Sequence, residues 1–245
     1  MRLSFVTKVI RPLLVAGLAL LATVASAQTP EPSKGKPLNI LLVGASGMIG
    51  SRILAEAASR GHHVIAAARH PEKIAAGANV KAVKLDATDE AALTALAKDA
   101  DVIVTATSPR GGGDPVQEAR AVGDAAIAAA RASGKRLLVV GGAGSLKMAD
   151  GKSVADTLPA AYRGEALGMR GVLDSLKASD VNWTFFSPAM SIAPGQKTGK
   201  YRLGTSTVIA NGKGESRISA EDFAHALVNE LETPKYLKSQ MTIGY

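Results

Sequence analysis

The sequence predicts an α/β fold in which a doubly wound parallel sheet lies between two layers of helices, within a single domain. From Leu38 onward, short apolar runs alternate with alanine-rich helical patterns, as is typical of buried parallel strands joined by crossover helices. The first apolar run leads directly into a glycine-rich turn and a helix, "NILLVGASGMIGSRILAEAASR". Because such crossovers are right-handed, the helices cover both faces and give the three-layer α/β/α arrangement of a Rossmann fold.

The predicted strands are short and mostly apolar, and the predicted helices are bounded by residues that favour helix ends. Asp89 and Asp114 suit N-cap positions, and Gly61 and Gly134 suit the position that follows a helix. The predicted strands are Leu38–Val43, His63–Ala68, Asn79–Leu85, Asp101–Ala106, Arg136–Val140, Trp183–Phe186 and Met241–Tyr245. The predicted helices are Gly47–Arg60, a segment that follows Asp89 and ends near Lys98, Pro115–Ala132, Ala160–Ala178 and Ala220–Leu231.

The region after the sixth predicted strand departs from this alternation. Lys200–Ile209 and Glu215–Ile218 flank the dipeptide Asn211-Gly212, and together they predict a small β excursion around a tight turn. Ser219 is the predicted N-cap of the last helix, and Asp222 occupies the third helical position as the acidic partner of a capping box.

The first 27 residues predict a cleaved signal peptide. Arg2, Lys8 and Arg11 form a basic start, an uncharged apolar run follows, and Ala25-Ser26-Ala27 offers small residues for cleavage. The apolar run is shorter than the roughly 20 residues needed to span a bilayer. The domain prediction is therefore a signal peptide over 1–27, a linker over 28–37 and a nucleotide-binding domain over 38–245. The predicted location is periplasmic or secreted, or cytoplasmic if the leader does not function.

Composition excludes several function classes. The formal charge is +8, and loss of the three leader cations leaves +5, spread without a basic block, so nucleic-acid binding is not indicated. The chain has no cysteine, which excludes disulfides, thiolate metal sites and cysteine catalysis. The four histidines are scattered and predict no metal site. A small-molecule partner is expected, with no membrane contact after signal cleavage; the oligomeric state stays open.

The glycine turn predicts a dinucleotide site. Gly44, Gly47 and Gly50 are spaced G-x-x-G-x-x-G between a strand and a helix. Glycines here let the backbone approach a pyrophosphate closely, and the first helical turn offers free N–H groups to the anion. The predicted pyrophosphate residues are Gly44, Ser46, Gly47, Met48, Ile49 and Gly50.

The end of the second predicted strand favours NADP over NAD. NAD enzymes usually carry an acidic residue there for the ribose 2′-hydroxyl, whereas this chain has Arg69, which suits a 2′-phosphate. Asp86 and Ala87, after the third strand, are expected to flank the adenine. Thr105 and Ala106, after the fourth, are expected beside the cofactor ribose.

Several blocks carry a family resemblance. The chain resembles the atypical short-chain dehydrogenases, and specifically the NAD(P)H-flavin reductases of bacteria, in "GASGMIGSRILAEAASRGHHV", "ARHPEKI", "LLVVGGAGSL", "WTFFSPA", "PGQKTGKYRLG" and "SRISAEDFAHAL". The match covers nearly all of 38–245, and the family is similar in fold and chemistry to flavin and biliverdin reductases. The resemblance implies hydride transfer from NAD(P)H, with flavin as a substrate and not as a bound prosthetic group.

The chain lacks the proton relay of alcohol-oxidising relatives. Those enzymes place a lysine four residues after a tyrosine to lower its pKa, but Ala166 stands four residues after Tyr162. Flavin reduction does not need the relay, because hydride transfer mainly requires two rings to be oriented. The catalytic residues stay unassigned, and the candidates for the substrate pocket are Ser145, Tyr162 and Ser187.

Two functions remain open from the sequence. The first is an NADPH-dependent reductase of a flavin or similar planar acceptor, and the second is a cofactor-binding redox sensor or scaffold without turnover. The leader lacks a twin arginine, which indicates export of an unfolded chain. An exported chain would then leave its cofactor behind, so the leader bears on both functions.

Overall fold

The computed structural model describes residues 35–109 and 111–245. The predicted signal peptide and most of the predicted linker lie outside these residues. Within the described part of the chain, no helix combines the length and the apolar character that a membrane crossing requires.

The predicted strands and helices are present, with ends that differ from the prediction by no more than two residues. The strands are β1 Asn39–Val43, β2 His63–Ala68, β3 Val80–Lys84, β4 Val102–Thr105, β5 Arg136–Val140, β6 Trp183–Ser187, β7 Ser191–Ala193, β8 Arg202–Gly204, β9 Arg217–Ser219 and β10 Ser239–Gly244. The helices are α1 Met48–Ser59, α2 Glu90–Ala97, α3 Pro115–Ser133, α4 Val154–Thr157, α5 Ala160–Ala178 and α6 Ala220–Glu232. Short 3₁₀ turns lie at Pro71–Lys73 and Ala143–Ser145.

The main sheet confirms the doubly wound topology. Among the described residues its strand order is β3-β2-β1-β4-β5-β6-β10-β8. All neighbours pair in parallel except β8, which runs antiparallel to β10 at the edge. The order reverses between β1 and β4, and this switch point is where doubly wound sheets form their ligand crevice.

Two hydrophobic layers hold helices against the two faces of the sheet. On one face α1 and α6 pack over the strands, and Phe186 stacks on Phe223 with ring centroids 4.2 Å apart. On the other face α2, α3 and α5 cover Phe185 and Trp183. The layers bury the alternating inward residues of every central strand, which is the main stabilisation of such a fold.

The predicted helix caps are confirmed by hydrogen bonds. The carboxylate of Asp89 accepts from the N–H of Ala92, and that of Asp114 accepts from Val116. The hydroxyl of Ser219 accepts from the N–H of Asp222 at 3.0 Å.

The predicted β excursion was wrong in its pairing. Asn211 does form a turn, since its side-chain oxygen accepts from the N–H groups of Lys213 and Glu215. The flanking segments do not pair with each other, however: β8 joins the free edge of β10, and β9 pairs in parallel with β7 in a separate two-stranded sheet. The turn therefore forms, but the segments on each side of it pair with strands other than each other.

The acidic half of the predicted capping box was also wrong. The carboxylate of Asp222 does not return to Ser219 N–H, which instead donates to the hydroxyl of Tyr245 at 3.2 Å. The buried carboxylate of Asp222 instead accepts from Thr198 and Gly199 in the loop before β8 and from the hydroxyl of Tyr245 after β10.

Candidate functional site

The glycine turn lies at the switch point of the sheet, directly after β1. Gly44 has a left-handed backbone with φ +87°, and a Cβ atom placed on it would lie 2.6 Å from the carbonyl oxygen of Ala106, after β4. A Cβ on Gly50 would overlap the carbonyl oxygen of Gly44. These two glycines are therefore required by the protein's own backbone, which packs the turn against β4 and α1.

Packing within the protein does not require a glycine at Gly47. Its φ of −73° suits any residue, and a Cβ there would lie 3.3 Å from Gly44 O, so only a small shift would be needed. Gly47 is the N-cap of α1 but supplies no side-chain cap, and the first hydrogen bond inside the helix is from Ser51 N–H to Gly47 O. The N–H groups of the first helical turn therefore face an open surface that suits an anion.

The remaining turn residues lie around this surface. Ser46 and Met48 are exposed and Ile49 is half-buried, while Gly50 is buried beneath them. The arrangement offers backbone N–H groups and an uncovered approach, and these are what a pyrophosphate needs from a protein.

Arg69 and Asp86 lie together at the carboxyl ends of β2 and β3. Both side chains are exposed. Hydrogen bonds from the N–H and hydroxyl of Thr88 lower the pKa of Asp86, and the nearby charge of Arg69 lowers it further. Thr88 and the adjacent cation thus hold Asp86 as an anion, while the guanidinium remains accessible to a ligand. Ala87 is half-buried beside them.

Thr105 and Ala106, which are adjacent in the chain, differ in burial. Thr105 is the last residue of β4 and only 4% exposed, so its side chain belongs to the core. Ala106 is half-buried, and its N–H donates to Val43 O at 2.8 Å. Only Ala106 presents itself to the crevice, next to Gly44.

Ser145 and Ser187 meet beyond β5 and β6, as their positions in the sequence predict. Their hydroxyl oxygens lie 2.8 Å apart, and the amide of Gln240 donates to both at 3.0 Å. Ser145 also donates to Gly142 O at 2.7 Å. A hydroxyl has one donor and two acceptor positions, so Ser145 is saturated by these partners, and Ser187 is fully buried. The geometry favours a structural role for both.

Gln240 was missed by the sequence reasoning. It lies 95 residues from Ser145 in the chain, and nothing in the local pattern of β10 distinguishes it. Only the insertion of β10 beside β6 brings it to the serines.

Tyr162 lies at the mouth of the same region. It is 63% exposed, in the first turn of α5. One turn later Ala166 packs so closely on Gly144 that a Cβ on that glycine would overlap it. Tyr162 and Ala166 share a helix face, so the exposed tyrosine lies one helical turn from the contact with Gly144.

Other apolar side chains are exposed along this edge. Met48 is 40% exposed beside the glycine turn and Met190 is 45% exposed after β6. In the described residues no group of histidines and carboxylates could hold a metal ion. This end of the sheet thus combines the exposed first turn of α1, the exposed Arg69 and several exposed apolar side chains.

Fold and site together define a dinucleotide-binding protein of the Rossmann type. Comparison with known proteins agrees, because residues 44–234 match the NAD(P)H-binding family. The chain belongs to this family, as the resemblance of its blocks predicted.

Three solved structures show the range of its relatives. One from Burkholderia pseudomallei, provisionally named an exported protein, is 43% identical, with 85% of this chain and 100% of that chain covered and a TM-score of 0.77. One from Bacteroides thetaiotaomicron, provisionally named an epimerase, is 38% identical, with 86% and 98% covered and a TM-score of 0.80. One from Streptococcus pneumoniae TIGR4, provisionally named an NADH-flavin reductase, is 31% identical, with 84% and 99% covered and a TM-score of 0.70.

Proposed function

We propose that the protein is an NADPH-dependent reductase that delivers a hydride to a flavin or another planar acceptor. The observation that carries the proposal is the surface at Gly47, where the protein leaves space and free N–H groups that its own packing does not require. Membership of the NAD(P)H-binding family supports the cofactor class, and the flavin-reductase relative supports the reaction.

NADPH is favoured over NADH by the charges at the ribose end. The exposed guanidinium of Arg69 stands at the end of β2, where an NAD-binding protein usually has a carboxylate for the 2′-hydroxyl. Asp86 is nearby, but Thr88 holds its carboxylate with two hydrogen bonds of 3.0 and 2.8 Å. Arg69 is therefore the group that we assign to the 2′-phosphate, with two parallel hydrogen bonds as the expected mode.

The acceptor side favours a flat ring over a polar substrate. The hydroxyls of Ser145 and Ser187 are used by Gln240 and by each other, whereas Tyr162, Met48 and Met190 expose apolar surface. Bound NADPH would supply the hydride, and the chain would bind and orient the two rings. Ala166 stands where a relay lysine would be needed, so the remaining proton is assigned to water. This absence argues against the proton transfers of an epimerase.

The experiment measures binding first and turnover second. We expect tighter binding of NADPH than of NADH, and Arg69→Gln to weaken NADPH alone by about tenfold through loss of charge-assisted hydrogen bonds. Lys81→Gln, an exposed cation in the middle of β3, is the matched control and should bind both cofactors normally. Equal affinity of the wild type for both cofactors would overturn the NADP assignment.

Turnover is followed by NADPH absorbance with FMN, FAD, riboflavin or biliverdin. Tyr162→Ala should raise the acceptor KM about three- to tenfold through loss of ring stacking, and Tyr162→Phe should not. Leu237→Ala is the control, because Leu237 is also a large exposed side chain but lies at the opposite edge, before β10. Binding of NADPH without oxidation by any acceptor would instead support the redox sensor, which the missing proton relay also fits.

We propose a location outside the cytoplasm, with residues 1–27 removed, 28–37 as a linker and 38–245 as the domain. The similarity to the exported protein of Burkholderia pseudomallei supports this. Cell fractionation with mass measurement of the chain tests it: a full-length chain in the cytoplasm would overturn export and strengthen the reductase.

A further inference from the structure

The irregular segment Gly195–Tyr201, here called the strap, lies between β7 and β8 and contacts α6 and α1. Gly195–Lys200 are exposed and the strap belongs to no strand or helix. It takes no part in the sheet ladders, so its position depends on side chains of the helices beneath it. A segment held in this way can be displaced without disturbing the core.

The strap is attached to α6 at several points. Asp222 accepts from the N–H groups of Thr198 and Gly199, both at 2.8 Å. The hydroxyl of Tyr201 lies 2.8 Å from Nδ1 of His225. Burial raises the pKa of Tyr201 to about 12, so the hydroxyl keeps its proton.

Glu221 differs from these anchors because it joins the strap to the start of α1, whereas Lys197 of the strap bonds Glu56 near the other end of that helix, with Nζ 3.0 Å from Oε2. Oε2 of Glu221 accepts from Gly195 N–H at 2.7 Å, and its Oε1 accepts from Nε of Arg52 in α1 at 3.3 Å. Nη1 of the same guanidinium donates to the carbonyl of Met48 at 3.2 Å. Three hydrogen bonds thus lead from the strap to the first residue of α1, at the anion site.

We propose that Glu221 is a positioning residue that holds the strap in place relative to the glycine turn, so that a cofactor bound at the turn also orders the strap. The inference rests on the proposed function for its ligand. A pyrophosphate at the first turn of α1 restricts Met48, and Arg52 and Glu221 pass this restriction to Gly195. The same three bonds must then make an ordered strap favour cofactor binding, since coupling between sites is reciprocal.

Glu221 can be changed without unfolding the protein. The side chains of Arg52 and Glu221 are 32% and 26% exposed, and exposed pairs of this kind contribute little to stability. Asp222 would continue to hold Thr198 and Gly199 in a Glu221 variant. Those two amides are therefore reporters of the strap that do not themselves touch Glu221.

The test is amide hydrogen exchange at Thr198 and Gly199 with and without NADPH. We expect NADPH to slow exchange in the wild type, and the slowing to fall about two- to fivefold in Glu221→Ala, the range that a partly exposed pair can supply. Glu221→Gln should recover part of it, because an amide oxygen can still accept from Gly195. Glu90→Ala removes a carboxylate from the first turn of α2 and should behave as the wild type.

A second measurement separates positioning from mere support. By the same reciprocity, Glu221→Ala should raise the Kd for NADPH by a similar factor while the melting temperature changes little. Binding of NADPH with no response at Thr198 and Gly199, or an equal response in Glu221→Ala, would overturn the inference while leaving the reductase intact. Failure of NADPH to bind at all would overturn both.

Discussion

The glycine turn and the strap are linked through Arg52 and Glu221, but they are held by different forces. The turn is held by backbone packing, because Gly44 and Gly50 leave no room for a side chain against Ala106 O and Gly44 O. The strap is held by carboxylates, chiefly Asp222 and Glu221. Steric contact fixes a conformation sharply, whereas hydrogen bonds to exposed chain can be exchanged for water. The glycine turn should therefore be rigid and the strap adjustable.

The largest expected effect breaks the turn. Gly50→Ala forces a Cβ into Gly44 O, and overpacking against backbone should destabilise the protein by about 3 kcal/mol and abolish NADPH binding. Urea unfolding and cofactor titration measure both effects. Gly171→Ala is the matched control: Gly171 lies inside α5 with open space around it, so alanine should be neutral or stabilise the helix by up to about 1 kcal/mol. Normal cofactor binding by Gly50→Ala would contradict the steric account.

The next largest effect is expected at Asp222, whose carboxylate holds the strap. Asp222→Asn keeps the shape but points an amide at donors that need an acceptor, and should cost about 2–3 kcal/mol of unfolding free energy near neutral pH. Asp99→Asn, an exposed carboxylate after α2, should change it by less than about 0.5 kcal/mol. Exchange at Thr198 and Gly199 should rise in the first variant only.

The pH dependence of this effect follows from the pKa of Asp222. Burial, the largest influence, raises that pKa, but hydrogen bonds from Thr198, Tyr245 and Gly199 together outweigh it, so the folded pKa lies below the unfolded value. The contribution is therefore complete above about pH 4, the unfolded pKa, and is lost as pH falls through the folded pKa. The stability difference between wild type and Asp222→Asn should shrink in acid, and a constant difference would contradict this assignment.

The smallest effect is expected at Ser145, near the proposed acceptor site. Ser145→Ala removes partners from Gly142 O, Gln240 and Ser187, which should lower the unfolding free energy by about 1 kcal/mol. Acceptor KM and kcat should stay within about twofold, because the hydroxyl has no free position for a substrate. A tenfold loss of kcat at unchanged stability would restore Ser145 as a substrate-binding residue.

The same contrast explains what the sequence could predict. The turn between β1 and α1 is encoded by neighbouring residues, so the apolar strand, the glycine spacing and the following helix together predicted the turn at Gly44, Gly47 and Gly50. The pairing of β8 and β9 could not be predicted, because the Asn211 turn suggested a hairpin while the true partners, β10 and β7, are distant in the chain. Asp222 was correctly placed in the first turn of α6, yet its partners come from a loop more than 20 residues earlier. Neighbouring residues determine the pattern of helices and strands, whereas tertiary contacts determine the hydrogen-bond partners of polar side chains.

The position of β10 has a consequence for the order in which the molecule assembles. The strands β1 to β4 and the residues assigned to the cofactor, from Gly44 to Ala106, form one continuous stretch of chain. The pairings among these four strands involve no residue after Thr105. The edge strand β8 joins the main sheet through β10, and Gln240 of β10 completes the bonds to Ser145 and Ser187. The strands that carry the assigned cofactor residues can thus pair without the C-terminal part of the chain, whereas the hydrogen bonds to Ser145 and Ser187 require the last strand.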